Sequence, residues 1–231
     1  MMLLLFFSSA FAGDLYSDFA TLAAHATLGV DYEITTTHHG ASSTTGGTAT
    51  GGPLILSIHG GTLEEGTSTL AAAVAAAGGF AHYDFRTLPP WPRAAELHIT
   101  SNNYDEPQAR ALATIQGPCL SFHGYRARPP QDPSYENACV GGANPTLRQA
   151  VAQALRVVLP TAVDVEEPCG LFPATAPENI VNRCRGQGVQ LELTVALRQR
   201  LLGDAGLRRQ LAAALAQALR AHARCSTILN K

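Results

Sequence analysis

The feature that most restricts the fold is a short, uninterrupted apolar run, PLILSI, at residues 53–58. Apolar runs of this length without polar alternation are typical of strands that helices cover on both faces, as in parallel sheets. The run ends on His59, and a glycine-rich turn and an alanine-rich helix, predicted over residues 69–77, follow it. The sequence therefore contains a strand–loop–helix unit, the building block of α/β folds.

The same alternation of strands and helices continues along the chain. Further strands are predicted over residues 31–36, 80–85, 97–100, 119–122 and 188–194, and further helices over residues 14–27, 106–115, 144–158, 196–202 and 207–224. Residues 38–52 are rich in Gly, Ser, Thr and His and are expected to form an exposed loop or β-ribbon. A length of 231 residues suits one domain, so we expect a single α/β three-layer sandwich over residues 13–231 that closes with C-terminal helices.

The first residues, MMLLLFFSSAFAGD, have the pattern of a secretory signal peptide over residues 1–12 and predict a secreted protein. No other stretch approaches the roughly 20 apolar residues of a membrane span. The five cysteines form no CxxC pair, which argues against zinc-ribbon and thioredoxin-type sites. In an exported protein, one or two disulfides are expected, and Cys119, inside an apolar strand, is the candidate for a merely buried thiol.

Charge and composition restrict the partners. The formal net charge is −2, so no overall positive field attracts nucleic acid, and nucleic-acid binding is not expected. With 46% hydrophobic and 15% charged residues, the chain has the composition of a folded protein rather than a disordered one.

Two histidines, His59 and His123, each end a predicted apolar strand. In open α/β sheets, ligands bind in the crevice beyond the carboxyl ends of the strands. Glu64 comes five residues after His59, and the glycines between them allow the backbone to turn so that both side chains reach one ion. His59, Glu64 and His123 therefore predict a site for one zinc ion with a fourth position for water, although spacing alone also permits Glu65.

Glu192 lies in the middle of the predicted strand GVQLELT, at residues 188–194. Its neighbours Leu191 and Leu193 are apolar, and a carboxylate in such a strand can act as a general base beside zinc. The alternation of Gln190, Glu192 and Thr194 equally permits a position on an outward-facing edge, so the sequence leaves both interpretations open. His98 is assigned no ligand role, since it could line the cleft or simply pack.

Arginines cluster near the same points of the chain. They are Arg126 and Arg128 after His123, and Arg183 and Arg185 before the strand of Glu192. Guanidinium groups match carboxylates in two-pronged geometry, so this cluster predicts an anionic substrate. Solvated loop arginines are the alternative interpretation.

The strings IHGGTLEEGTS, ELHITSNNYDEP, CLSFHG and NIVNRCRGQGVQLELT, in this order, resemble the poly-γ-glutamate hydrolase family, which is distantly related to the zinc carboxypeptidases. The resemblance extends over about residues 16–202. It implies a zinc carboxypeptidase-like fold with a mixed, mostly parallel β-sheet, and hydrolysis of γ-glutamyl amide bonds in poly-γ-glutamate or a similar acidic polymer. It also implies these roles: zinc ligands His59, Glu64 and His123, general base Glu192, and a substrate-carboxylate grip at Asn182 and Arg183, to which the arginine cluster adds Arg126.

Two other functions fit the same sequence. One is a zinc carboxypeptidase or amidase that acts on acylamino acids or on the γ-glutamyl links of peptidoglycan. The other is a secreted, non-catalytic module that binds a wall or polymer, in which the glycine-rich loop serves folding alone.

Overall fold

The computed structural model describes residues 13–37, 51–127 and 132–229. The predicted signal peptide (residues 1–12) and most of the predicted glycine-rich loop (residues 38–50) lie outside this range, as does Arg128.

Within the described residues the chain forms a seven-stranded sheet with helices on both faces. The strands are β1 Tyr32–Thr37, β2 Leu54–Gly61, β3 Ala81–Thr87, β4 Cys119–Tyr125, β5 Asn137–Gly141, β6 Asp164–Glu166 and β7 Gly188–Thr194. The helices are α1 Phe19–His25, α2 Thr67–Gly78, α3 Arg93–Glu96, α4 Pro107–Ile115, α5 Pro145–Val158, α6 Val195–Gly203 and α7 Ala205–Leu229, with a 3-10 helix at Ile180–Arg183.

The strand order is β1-β3-β2-β4-β7-β5-β6. Strands β3, β2, β4 and β7 run parallel, whereas β1 is antiparallel to β3 and β5 is antiparallel to β7. The chain passes from β2 to β3 on one side and then to β4 on the other side of β2. The point where the strand order reverses, between β2 and β4, is the place where open α/β sheets bind ligands.

Each face of the sheet has its own apolar core. One core joins the sheet to α2, α5, α6 and α7, and the other joins it to α1, α4 and the 3-10 helix. Strand β2 contributes Ile55 to the first core and Leu54, Leu56 and Ile58 to the second, so its continuous apolar run fills both layers. The α/β three-layer arrangement with a mixed, mostly parallel sheet is thereby confirmed.

Helix boundaries follow from local chemistry. The side chain of Asn144 accepts a hydrogen bond from the backbone N–H of Leu147 (2.9 Å), which caps α5. Glu106 caps α4 in the same way through Ala109 (2.8 Å), and Gly79, at φ 60°, ends α2 in the left-handed conformation.

Three sequence predictions about secondary structure were wrong. Residues 97–100 form no strand and run irregularly from α3 towards α4, and α1 is shorter than predicted because Asp18 caps it. Strands β5 and β6 were not predicted. They are 5 and 3 residues long and lie in segments rich in Gly and Pro, so neither carries a clear alternating pattern.

The cysteine prediction was also wrong in one respect. Cys119 is not a free buried thiol, since it is bonded to Cys184, and a second disulfide joins Cys139 to Cys169. Cys225, exposed on α7, is the free cysteine. Among the described residues, no helix combines the length and apolar character needed to cross a membrane.

Candidate metal centre and active site

Three side chains meet at the carboxyl ends of β2 and β4. The Nδ1 atoms of His59 and His123 lie 3.0 Å apart, and the Glu64 carboxylate lies 3.0 Å from His59 Nδ1 through Oε1 and 3.7 Å from His123 Nδ1 through Oε2. Both histidines are almost fully buried. The structure therefore brings together the three residues that the sequence predicts as metal ligands.

The loop after β2 directs Glu64 inward. The Glu64 N–H donates to the carbonyl of His59 (3.1 Å), and the Thr67 hydroxyl donates to the carbonyl of Glu64 (2.9 Å). The N–H of Gly124 donates to Glu64 Oε2 (2.7 Å), which fixes the carboxylate between the two strands. Glu65 is exposed, so the alternative that its spacing left open is not the one that the loop adopts.

Gly60 and Gly61 are both needed for this turn. A Cβ atom on Gly60 would lie 2.1 Å from Ser68 Oγ, and one on Gly61 would lie 2.1 Å from the carbonyl oxygen of Thr87. Gly61 also has φ +70°, a conformation that L side chains rarely adopt. The two glycines thus allow the loop to pack against β3 while it returns Glu64 to His59.

The outer nitrogens of both histidines contact one segment of chain. His59 Nε2 lies 2.9 Å from the carbonyl oxygen of Ile99, and His123 Nε2 lies 3.4 Å from Ser101 Oγ. Because a carbonyl oxygen only accepts, Nε2 of His59 carries a proton, and in the neutral ring the lone pair of Nδ1 is then available to a metal ion. Partners of this kind fix the tautomer and the orientation of metal-binding histidines.

The pKa values at the site reflect burial and close charge. Burial acts to raise the pKa of Glu64, but His59 and His123 outweigh it and lower that pKa to about 2. Burial, reinforced by His59, lowers the pKa of His123 to about 3. Burial also acts to lower the pKa of His59, but Glu64 outweighs it and raises that pKa. An anionic Glu64 beside a neutral His123 is the protonation state that metal binding requires.

The donor set fits zinc. Ligand atoms about 2.1 Å from a tetrahedral ion lie about 3.4 Å from one another. The distances here bracket that value: 3.0 Å between the two Nδ1 atoms, 3.0 Å from His59 Nδ1 to Glu64 Oε1, and 3.7 Å from His123 Nδ1 to Glu64 Oε2. Two imidazoles and one carboxylate are a common protein contribution to catalytic zinc, which keeps a fourth position for water. A second group of possible ligand atoms, from Cys139, Glu166 and Cys169, supplies no thiolates because its sulfurs form a disulfide.

Glu192 lies on the same face of the sheet as His123. The two residues are direct partners in the parallel pair β4–β7, where neighbouring strands are about 4.8 Å apart. Glu192 is buried, and Gln190 Nε2 donates to its Oε1 (2.8 Å). Burial, reinforced by the charge of Glu64, raises the pKa of Glu192 well above its ordinary value. The outward-facing alternative is therefore wrong for this strand, which is the fifth in a sheet of seven.

The predicted substrate-binding residues are dispersed. Arg126 directly follows β4 at the metal-binding edge and is exposed. The Asn182 amide is engaged by backbone groups, since its Oδ1 accepts from Ala143 (3.1 Å) and its Nδ2 donates to two carbonyls. Arg183 is exposed and donates to the carbonyl of Glu178 (3.0 Å), and the next residue, Cys184, is bonded to Cys119 at the opposite end of β4. The structure does not bring Asn182 and Arg183 together with the metal ligands.

Two groups beside the site were assigned no role from the sequence: Arg198 was missed, and His98 was left as a residue that lines the cleft or simply packs. Arg198 of α6 is buried, donates to the carbonyl of Glu65 (2.5 Å) and packs against Gly124, the residue whose N–H holds Glu64. His98 pairs with Asp14 (2.7 Å), and its ring centroid lies 4.2 Å from that of His59. The position of Arg198, a basic residue one turn after a buried strand, could have indicated its role. The pair of His98 and Asp14 is separated by 84 residues, so no local sequence pattern indicates it.

Comparison with known proteins identifies the family and several relatives of this chain. A family model described as poly-gamma-glutamate hydrolase matches residues 16–220. The SPbeta prophage-derived UPF0714 protein YoqZ of Bacillus subtilis (strain 168) is 32% identical over 197 residues, which are 84% of this chain and 64% of YoqZ. The UPF0714 protein YndL of the same strain is 29% identical over 200 residues, which are 85% of this chain and 70% of YndL. The chain thus spans somewhat under two thirds of YoqZ.

Two solved structures share the fold. The structure of a bacteriophage poly-gamma-glutamate hydrolase matches with a TM-score of 0.78 and 29% identity, over 92% of this chain and 99% of the phage chain. A zinc-free structure of YndL matches with a TM-score of 0.71 and 24% identity, over 90% of this chain and 98% of that chain.

Proposed function

Because the chain belongs to the poly-gamma-glutamate hydrolase family, we propose that it is a zinc-dependent enzyme that hydrolyses γ-glutamyl amide bonds in poly-γ-glutamate. The observation that carries this proposal is the convergence of His59, Glu64 and His123 on one point at the switch of strand order. A binding module would have no need to bury two imidazoles and a carboxylate against one another, since burial of polar groups is costly unless they are paired or hold an ion.

Zinc is the metal that this donor set suits best, and the zinc-free description of the YndL structure agrees with that choice. When bound, zinc polarises the amide carbonyl and makes a water molecule acidic enough to attack at neutral pH. His59 and His123 would hold it through Nδ1 and Glu64 through its carboxylate.

Glu192 acts as general base and then as general acid. It takes a proton from the attacking water as the C–O bond forms, and it returns that proton to the nitrogen of the leaving amine as the C–N bond breaks. A carboxyl whose pKa is raised by burial holds a proton more readily at neutral pH, which suits the second half of this cycle. Gln190 orients the carboxylate through Oε1.

Arg126 is the proposed contact for the α-carboxylates of the polymer. It is exposed at the edge of the sheet that carries the zinc ligands, and a guanidinium can bind a carboxylate through two parallel hydrogen bonds. Arg183 and Asn182 remain predictions from family resemblance, and their contacts in the structure favour a role in holding the segment around the 3-10 helix.

Export is the proposed localisation. Two disulfides, Cys119–Cys184 and Cys139–Cys169, are the supporting observation, because disulfides form and persist in oxidising compartments and are rare in the cytosol.

The proposal is tested by incubating the purified protein with poly-γ-glutamate and measuring the fall in polymer length. We expect cleavage that a chelator abolishes and added zinc restores, and a Glu192→Gln variant that keeps stoichiometric zinc but turns over at least about 100-fold more slowly. Glu65→Gln, at an exposed carboxylate next to a proposed ligand, is the matched control and should cleave normally. Normal cleavage by Glu192→Gln would refute the assigned role, and faster cleavage of γ-glutamyl links in peptidoglycan fragments would replace the substrate.

A further inference from the structure

One short segment of chain supports both histidine ligands. Leu97–Ser101, here called the support segment, supplies the carbonyl of Ile99 to His59 Nε2 (2.9 Å) and the hydroxyl of Ser101 to His123 Nε2 (3.4 Å). The N–H groups of Leu97 and His98 donate to carbonyls of α3, and the carbonyl of Ser101 accepts from the N–H of Ile180, but the segment itself forms no helix or strand. Leu97 and Ile99 are nevertheless buried at 1% exposure, as expected of a segment with one fixed position.

Asp14 adds two further contacts to the middle of this segment. Asp14 Oδ1 lies 2.7 Å from His98 Nδ1, and Asp14 Oδ2 accepts a hydrogen bond from the backbone N–H of Thr100 (2.7 Å). One carboxylate thus binds a side chain and the backbone of the support segment at positions that flank Ile99. The Asp14 side chain is only 11% exposed, so water competes little for these bonds.

The His98 ring carries this restraint to the ligand itself. Its centroid lies 4.2 Å from that of His59 with an angle of 35° between the planes, so the two imidazoles are in contact. A carboxylate that fixes His98 therefore limits the movement of His59 directly, and through Ile99 it limits the rotation of the same ring from its Nε2 side.

We propose that Asp14 is a positioning residue of the metal centre, and that the N-terminal segment of the described chain is in this way a component of the active site. The inference rests on the proposed function in that the ion is zinc. Outer partners of metal-binding histidines typically contribute a factor of 10 to 100 in metal affinity. Through the support segment, Asp14 positions two such partners, the Ile99 carbonyl and the Ser101 hydroxyl. Its loss is therefore expected to weaken zinc binding about 10-fold.

The rival explanation is that Asp14 only fastens the N-terminal segment to the domain. In that case its removal lowers the free energy of unfolding but leaves the zinc affinity of the folded protein unchanged. Asp18 provides a matched comparison, because it lies in the same segment and caps α1 through the N–H of Thr21 (2.7 Å). Loss of either carboxylate loosens the N-terminal segment, but only Asp14 contacts the support segment.

The experiment compares the wild-type protein with Asp14→Asn, Asp14→Ala, Asp18→Asn and Asp18→Ala, of which the last removes the cap of α1. The zinc dissociation constant is measured by competition with a chelator, and the unfolding midpoint is measured in excess chelator. We expect a dissociation constant about 10-fold higher for Asp14→Asn, a larger increase for Asp14→Ala, and the wild-type value for both Asp18 variants. Should Asp14→Ala not fold, the isosteric Asp14→Asn carries the comparison.

Cobalt in place of zinc gives a second readout, since its visible absorption reports the arrangement of the ligands. The inference predicts an altered cobalt spectrum for Asp14→Asn and an unaltered one for Asp18→Asn. Wild-type affinity and spectrum in both Asp14 variants would overturn the inference and leave the proposed function intact. A wild-type protein that binds no zinc would overturn the proposed function and the inference with it.

Discussion

The Cys119–Cys184 disulfide provides a stability prediction whose size follows from the structure. The bond joins residues 65 apart, between the first residue of β4 and the end of the 3-10 helix. In the chain-entropy model, a crosslink that closes a loop of this length removes enough freedom from the unfolded chain to stabilise the fold by about 4.3 kcal/mol. The Cys119→Ala/Cys184→Ala double variant should lose roughly this amount, with about 2–4 kcal/mol as the usual measured range.

Urea unfolding, followed by circular dichroism, measures the loss directly. For a domain of this size, a loss of about 4 kcal/mol lowers the thermal midpoint by roughly 8–16 °C. Cys225→Ala removes the exposed free thiol and should leave the midpoint unchanged. The folded double variant should still cleave substrate normally, because Cys119 lies four residues before His123 on β4, about 13 Å from the metal-binding edge. A double variant within about 1 kcal/mol of the wild type would refute the reasoning.

Three further predictions concern other parts of the molecule. Gly61→Ala should destabilise the fold by about 2–5 kcal/mol in urea unfolding, because a side chain disfavours the left-handed backbone and its Cβ would meet the Thr87 carbonyl. Gly203→Ala is the control and should leave the stability unchanged, since a Cβ there meets nothing within 4 Å. Loss of the Cys139–Cys169 disulfide, which joins residues 30 apart, should cost about 3.6 kcal/mol at most by the same measurement. Burial acts to raise the pKa of Asp14, but hydrogen bonds from His98 and Thr100 outweigh it and lower that pKa below 3.8. The contribution of the Asp14 carboxylate to folding stability is therefore present above pH 3.8 and is lost as pH falls through the folded pKa. The difference in unfolding midpoint between wild type and Asp14→Asn should therefore shrink as pH falls below about 4, and a constant difference would contradict this.

The part of the fold that the sequence predicts is the part with strong local patterns. The apolar run before His59 is short and ends in a glycine-rich turn, which favours a strand, and the apolar stripe of α5 repeats at helical spacing. Strands β5 and β6 escaped prediction because they are short and lie between segments rich in Gly and Pro. Their pairing with β7 and with each other depends on contacts distant in sequence, which no local pattern records.

The residues of the candidate site also differ in how much local sequence signal they have. His59 and Glu64 are five residues apart on one glycine-rich turn, so their shared role is visible in the sequence. His123 was found because strand ends on one edge of a parallel sheet meet. Asp14 and Arg198 were missed because each reaches the site through a side chain from a remote segment. The Asn182 and Arg183 roles came from family resemblance alone, and their contacts lie elsewhere.

The central claim, that two imidazoles and one carboxylate hold a single catalytic zinc ion, is tested most directly by a crystal structure of the zinc-loaded protein with anomalous data at the zinc edge. The account predicts one strong peak about 2.0–2.1 Å from Nδ1 of His59 and of His123, and about 2.0–2.2 Å from the carboxylate of Glu64. A peak at any other place, or none at these three side chains in a protein that cleaves poly-γ-glutamate, would contradict it.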